Sequence, residues 1–163
     1  MARKSQTRKP YQRRANSRAG FVPLYYDLLD SPAFHDLTPR QKVLYVYCAR
    51  ESHGRAMGEA ENRGEAKDET LFYMNKGLRS KVHEIYPESD TRCFREDMAA
   101  LVEHGFVDCV QSGLEKRENN LFRLSGRWNH WGTSAFSVPK EIKTTYMLRQ
   151  EQKERRKEAS TCE

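Results

Sequence analysis

Residues 89–110 read SDTRCFREDMAALVEHGFVDCV. Ser89 or Asp90 supplies a helix cap, a short polar side chain that accepts from the free N–H groups of the first turn. Behind it, Phe94, Met98, Leu101 and Val102 recur at i, i+4, i+7 and i+8, the stripe of an amphipathic helix from Thr91 to about Glu103. Gly105 is the natural terminator, because the residue past a helix end often adopts the left-handed conformation that glycine reaches without strain. Phe106 to Val110, FVDCV, then alternates apolar and polar with the period of a strand. After a polar turn from Gln111 to Asn120, LFRLS at Leu121 to Ser125 returns, so a β-hairpin follows the helix directly.

Upstream of this unit, Lys76 to Tyr86 places Leu78, Val82 and Ile85 on one helical face, and Pro87 ends it. Thr70 to Met74, TLFYM, reads as a short strand. Thr38, Pro39 and Gln41 form a helix start, with a cap, a proline suited to the first position and the glutamine of a capping box. The following KVLYVYCA, Lys42 to Ala49, is apolar nearly all round and predicts a central helix, although its Val and Tyr content also suits a strand. Residues 21–34, FVPLYYDLLDSPAF, predict an extended piece and a helical turn at Tyr25 to Leu29, with Pro23 and Ser31-Pro32 as punctuation. Trp128 and Trp131 follow the hairpin, where large rings can cover the open side of the core. From Pro139 a charged helix is expected to about Glu158, docked by Ile142 and Tyr146.

The order helix, helix, helix, hairpin is that of a winged helix-turn-helix, in which the third helix enters the major groove and the hairpin touches the backbone. The expected class is therefore α+β, mainly α. Residues 1–20 are expected to form a disordered basic arm, 21–135 the winged-helix domain, and 136–163 a charged C-terminal helix. Within the domain, His53 to Glu69, HGRAMGEAENRGEAKDE, is broken by Gly54, Gly58 and Gly64 and reads as a flexible acidic loop directed away from any nucleic acid.

Charge supports a polyanionic partner only through the ends of the chain. The 163 residues carry 29 Lys and Arg against 23 Asp and Glu, a formal net charge of +6. Mean hydropathy is −0.94, which leaves a small core. Residues 1–20 hold Arg3, Lys4, Arg8, Lys9, Arg13, Arg14 and Arg18 without a single acid, whereas residues 21–139 are net acidic. Such an arm can grip phosphates or enter a minor groove; the plainer alternative is a solubilising tail. On the helix, Ser89, Thr91, Arg92 and Arg95 are the polar residues offered by the first turns, with Arg92 and Ala99 opposite the apolar stripe. Arginine there can pair bidentately with guanine, and Ser or Thr can reach phosphate. The competing reading is a solvated face in which Glu96 pairs Arg92 at i, i+4. Lys116, Arg117 and Arg123 on the hairpin can meet phosphates, diluted by Glu115 and Glu118. Lys76, Arg79 and Lys81 are equally well backbone contacts or surface charge.

Several function classes find no support in the residues. No run approaches the roughly 18 apolar residues of a membrane span, and no secretory signal is expected, so the predicted setting is bacterial cytoplasm with no membrane partner. Cys48, Cys93, Cys109 and Cys162 lack zinc-type spacing. In a reducing compartment Cys48, Cys93 and Cys109 are expected to be small core or half-buried residues. His35, His53, His83, His104 and His130 include no pair at i, i+2 or i+4, and phosphate-loop and nucleophile-elbow patterns are absent. No catalysis, cofactor or metal is expected.

The segment FVPLYYDLLDSPAFHDLTPRQKVLYVYCARE resembles the N-terminal winged-helix region of plasmid replication initiators of the RepA N-domain type, through Leu37, Thr38, Lys42, Leu44 and Tyr45. The junction ALVEHGFVDCV is similar to that family's through Leu101, Gly105, Phe106 and Val107. The resemblance covers residues 21–127 and implies DNA binding by a winged-helix module. Initiators of that type usually carry further C-terminal sequence, whereas this one ends in a charged helix. The expected role is therefore non-catalytic, sequence-specific binding of double-stranded DNA for a bacterial plasmid, phage or conjugative element, in replication or transcription. The alternative is a protein-interaction or assembly module, with the C-terminal helix pairing two copies or docking a partner. RNA binding through the arm is a third possibility, which no RNA-binding motif supports.

Overall fold

The computed structural model describes residues 22–63, 71–73, 82, 84–87, 90–113 and 119–161. The fold is mixed α/β and mainly helical, with one small antiparallel sheet. Helix α1, Tyr26–Leu29, is followed by α2, Pro32–Asp36. The sequence presents Ser31-Pro32 as punctuation, but the pair opens α2. Ser31 Oγ accepts the Phe34 N–H at 3.1 Å and donates to the Leu28 carbonyl at 2.7 Å, while Pro32 takes the first position, where its missing N–H costs nothing.

Helix α3 runs from Pro39–Arg63, 25 residues, and begins at the expected capping box. The Gln41 N–H donates to Thr38 Oγ1 at 3.3 Å and the Thr38 N–H donates to Gln41 Oε1 at 2.9 Å. Leu44, Tyr45, Cys48, Ala49 and Ser52 form its buried face. Val43 remains 41% exposed, so this helix lies on one side of the core instead of passing through its centre. Its backbone continues through residues 53–63, which the sequence reading assigns to the acidic loop. Ala56, Met57, Glu59, Ala60 and Glu61 are all good helix formers, and the two glycines at 54 and 58 cost about 1 kcal/mol each against alanine. Residues 64–69 of that loop lie outside the described residues, as do the arm 1–20 and most of the helix expected over 76–86.

Strands β1, Phe72–Tyr73, β2, Val107–Gln111, and β3, Leu121–Leu124, pair antiparallel in the order β1-β3-β2. Phe72, Phe122 and Cys109 lie across from one another and bury one face of the sheet. A bulge at Val110 shifts the register before Gln111 meets Leu121. Between α3 and β2 stands α4, Thr91–Glu103, with the cap, apolar stripe and end that the sequence predicts. Asp90 accepts the Cys93 N–H at 3.1 Å, and Phe94, Met98, Leu101 and Val102 are buried.

The turn from α4 into β2 sets the hairpin against the helix. The Gly105 N–H donates to the Val102 carbonyl at 3.1 Å and the Phe106 N–H to the Leu101 carbonyl at 2.9 Å, the paired bonds of a Schellman turn, with Gly105 at φ +78°. Phe106 is thereby thrown into the core, where Phe34 meets it edge-on, Tyr45 packs at 5.3 Å and Trp128 stacks at 6.2 Å between ring centres. Trp131 stacks on His104, so both tryptophans cover this side of the core, as expected from their position. Burial raises the Cys48 thiol and pushes that of Cys109 up to about 12, which leaves both unreactive core residues.

Asp108 is buried on the sheet beside two cations. Arg127, in the 3-10 turn Arg127–His130, donates from Nε to Asp108 at 2.8 Å, and to the carbonyls of Val102 and Ser137 at 2.9 Å each. The guanidinium thus ties the end of α4, the sheet and the C-terminal segment together. Arg127→Ala is expected to lower stability by about 2–3 kcal/mol, discounted for the partial exposure of the arginine, and the thermal midpoint by roughly 5–10 °C. Arg127→Lys, which cannot fork to three acceptors, should recover less than half of that loss in a thermal melt.

The C-terminal helix α5, Thr145–Thr161, begins later than the sequence suggests. Pro139 and Lys143 adopt extended backbone on either side of a 3-10 turn, Lys140–Ile142, and the buried Thr144 makes the true cap by accepting the Met147 N–H at 3.2 Å. Ile142 and Tyr146 pack against the core as expected, and Met147 is buried beside them.

Candidate nucleic-acid interface

The first turns of α4 carry the residues that sequence reasoning singles out. Thr91 opens the helix and is half-buried, while Arg92 and Arg95 are exposed. Arg92 donates from Nε to Glu96 at 2.7 Å, with its side chain 84% exposed. That ion pair sits in open water, so it is worth little and a stronger anion can displace it. Arg95 makes no ion pair among the described residues and points to solvent. Ser89 of the same constellation lies outside the described residues, as do Lys116, Arg117 and the arm residues Arg8, Lys9, Arg13 and Arg14. So do Lys76, Arg79 and Lys81.

Arg123 is not part of this cluster. It stands on β3 directly opposite Asp108, with its Nε 3.4 Å from the carboxylate, and serves the buried acid together with Arg127. The expectation for Ala99 is also corrected. Placed on the open side by helical periodicity, it is only 5% exposed, on a helix against which α5 also packs. Glu96 marks the same contact, accepting the Tyr146 hydroxyl at 3.0 Å as well as Arg92. The surface left open on α4 is therefore its N-terminal half, around Thr91, Arg92 and Arg95.

What holds this surface in place is largely a buried acid that the apolar pattern passes over. Asp97 lies 3% exposed between Leu101 and Phe94. Its carboxylate accepts from Arg40 Nε at 2.5 Å, Gln41 Nε2 at 2.9 Å and the Tyr86 hydroxyl at 2.6 Å. One side chain thus joins α4 to the start of α3 and to the turn at residues 82–86, and Phe94 meets the Tyr86 ring edge-on at 5.3 Å. Burial, followed by the bond to Asp97, raises the Tyr86 phenol and keeps it a donor at any ordinary pH. A charge at i+3 from Phe94 followed by an apolar neighbour is the only sequence signal that pointed to Asp97.

The two acids of the exposed half titrate low. Bonds from the side chain and backbone of Cys93 hold Asp90 below the usual carboxylate range, and bonds from Arg92 and then Tyr146 do the same for Glu96. Both folded values lie below the unfolded ones, so their contribution is complete above about pH 4–5 and is lost as pH falls through the folded values. Thermal midpoints are expected to drop between about pH 5 and pH 3, and the drop should be shallower in Asp90→Asn, which keeps the cap without the charge. An unchanged slope in that variant would remove Asp90 from the account.

Among the described residues no group of three His, Cys, Asp or Glu side chains is placed to hold a metal ion. No helix among them is long and apolar enough to cross a membrane. Comparison with family models, curated proteins and solved structures returns no match for this chain.

Proposed function

We propose that this chain is a non-catalytic, sequence-specific double-stranded DNA-binding protein of the winged-helix type, serving a bacterial plasmid, phage or conjugative element in replication initiation or transcriptional regulation. The observation that carries the reading is the unit from Thr91 to Leu124. A helix with exposed arginines on its first turns passes through one glycine turn into an antiparallel hairpin, in a sheet ordered β1-β3-β2. That geometry suits insertion of the N-terminal half of α4 into a major groove, with the hairpin beside the backbone. In this reading Arg92 exchanges Glu96 for a guanine edge, Arg95 takes a second base or a phosphate, and Thr91 reaches a phosphate at the helix start.

Selection of genomic fragments by the full chain at fixed salt should yield a preferred site. Arg92→Ala/Arg95→Ala should reduce the preference for that site over random duplex by about 10- to 100-fold, on the scale of one or two lost base contacts. A double variant that still discriminates would remove α4 from the role of reader.

The contact of α5 with Glu96 favours one second reading, a protein-interaction or assembly module, because part of the outer stripe of α4 is already occupied. Removing residues 1–20 separates the two. If neither the full chain nor the shortened one binds duplex DNA, the interaction reading stands.

A further inference from the structure

Past its first two turns, α5 leaves the body of the protein, and residues 152–159 are exposed throughout. Three of its five cations share one side, with Lys157 on the flank and Arg155 beside the acids. Taking about 100° per residue, Arg149, Lys153 and Arg156 fall within roughly 60° of one another. Glu151, Glu154 and Glu158 share the opposite side with the buried Met147, and Glu151 there pairs Lys143 of the body. The basic side therefore faces away from the core, and all three cations on it are exposed.

This sorting is unfavourable for a helix that merely sits in water. Arg149 and Lys153 are like charges at i, i+4, and Lys153 and Arg156 at i, i+3, spacings at which repulsion costs helix stability and an alternating pattern would have gained it. None of the three makes an ion pair among the described residues. The stripe also begins beside the candidate reading surface. Tyr146 precedes Arg149 by three residues and Lys153 by seven, and its hydroxyl lies on Glu96, the partner of Arg92.

We infer that the outward face of α5, formed by Arg149, Lys153 and Arg156, is a phosphate-binding surface for the backbone of a nucleic-acid duplex, continuous with the first turns of α4. This rests on the function proposed above and adds to it a second, sequence-independent contact. The three cations neutralise phosphates as point charges, and the anion relieves the repulsion between them.

The test is the salt dependence of binding by the full chain to a random-sequence duplex of fixed length. Each lost phosphate contact lowers the slope of log affinity against log salt by about 0.9, so Arg149→Gln/Lys153→Gln/Arg156→Gln should lower it by roughly 2 to 3. Lys153→Gln alone should lower it by about one. Arg149→Lys/Arg156→Lys should keep the full slope, and the preference for a selected site should survive in every α5 variant. An unchanged slope in the triple variant, with normal helicity by circular dichroism, overturns the inference and leaves the reading by α4 intact. A slope lost equally in the Lys variant overturns it too, since charge would not be the cause. Loss confined to binding of vesicles rich in anionic lipid points to a membrane surface and overturns it. A wild-type chain that binds no duplex at all overturns both the inference and the function on which it rests.

Discussion

Asp97→Ala is expected to destabilise the folded chain by about 2–4 kcal/mol, the loss of hydrogen bonds to a buried carboxylate together with a stranded buried donor. The carboxylate has three donors, Arg40 and Gln41 from the start of α3 and Tyr86 from the turn before α4. Arg40 is 41% exposed and can turn to water when the acid is gone. The Tyr86 hydroxyl cannot, since the residue is 1% exposed, and it would be left a buried donor without an acceptor. Urea unfolding should show a lower midpoint with little change in slope. Asp97→Asn separates charge from shape, because the amide keeps one acceptor and should recover part of the loss. Tyr86→Phe removes a single partner and should cost about 1–2 kcal/mol. If Asp97→Ala melted like the wild-type chain, the link between α3 and α4 would have to be sought elsewhere.

Gly105→Ala is expected to cost a comparable amount, about 3–5 kcal/mol, for two reasons that add. The backbone at φ +78° is one that side-chain-bearing residues rarely adopt, a penalty of about 1–2 kcal/mol. A β-carbon there would also stand 2.6 Å from the Trp128 nitrogen and 2.8 Å from the Arg127 carbonyl carbon. Both are backbone atoms, so relief requires the chain after β3 to move, and the bond from the Trp128 N–H to the Gly105 carbonyl goes with it. Because this segment carries Arg127, the damage should reach Asp108, and the near-ultraviolet signal of the tryptophans should change before far-ultraviolet helicity does. Gly132→Ala is the control. It shares φ +78° but has nothing within 4 Å of the added carbon, and it should cost only the conformational part.

The features legible in the residues were those written locally. Thr38, Pro39 and Gln41 announced α3 because a capping box needs only four consecutive positions. Asp90, the stripe from Phe94 to Val102, and Gly105 announced α4 for the same reason, and the alternation around Cys109 and Phe122 announced the hairpin. What escaped was decided by distant partners. Asp97 occupies a core position because Arg40 and Gln41 arrive there from more than fifty residues away, which no window of the sequence contains. Ala99 is buried although the periodicity of α4 alone assigns it to solvent, because other parts of the fold pack on that helix. Arg123 reads along the chain as a phosphate contact of the hairpin, and its place opposite Asp108 is set by the pairing of two strands. Ser31-Pro32 is a different failure, since the helix it opens is too short to show any period. Of the candidate site, the exposed pair Arg92 and Arg95 was readable from the helix face, and the extent of the face left open was not.

The bond between the Tyr146 hydroxyl and Glu96 spans fifty residues of sequence and stands beside the buried Thr144 and Met147. A chain made from its N-terminus therefore completes α4 and the hairpin well before the segment that meets Glu96 exists. For that interval Glu96 lacks its Tyr146 donor, and the final stability of the helix waits on closure of a long loop. Such long-range closure slows folding more than it alters the end state. The docking of α5 on α4 is therefore a natural place for a slow phase in refolding.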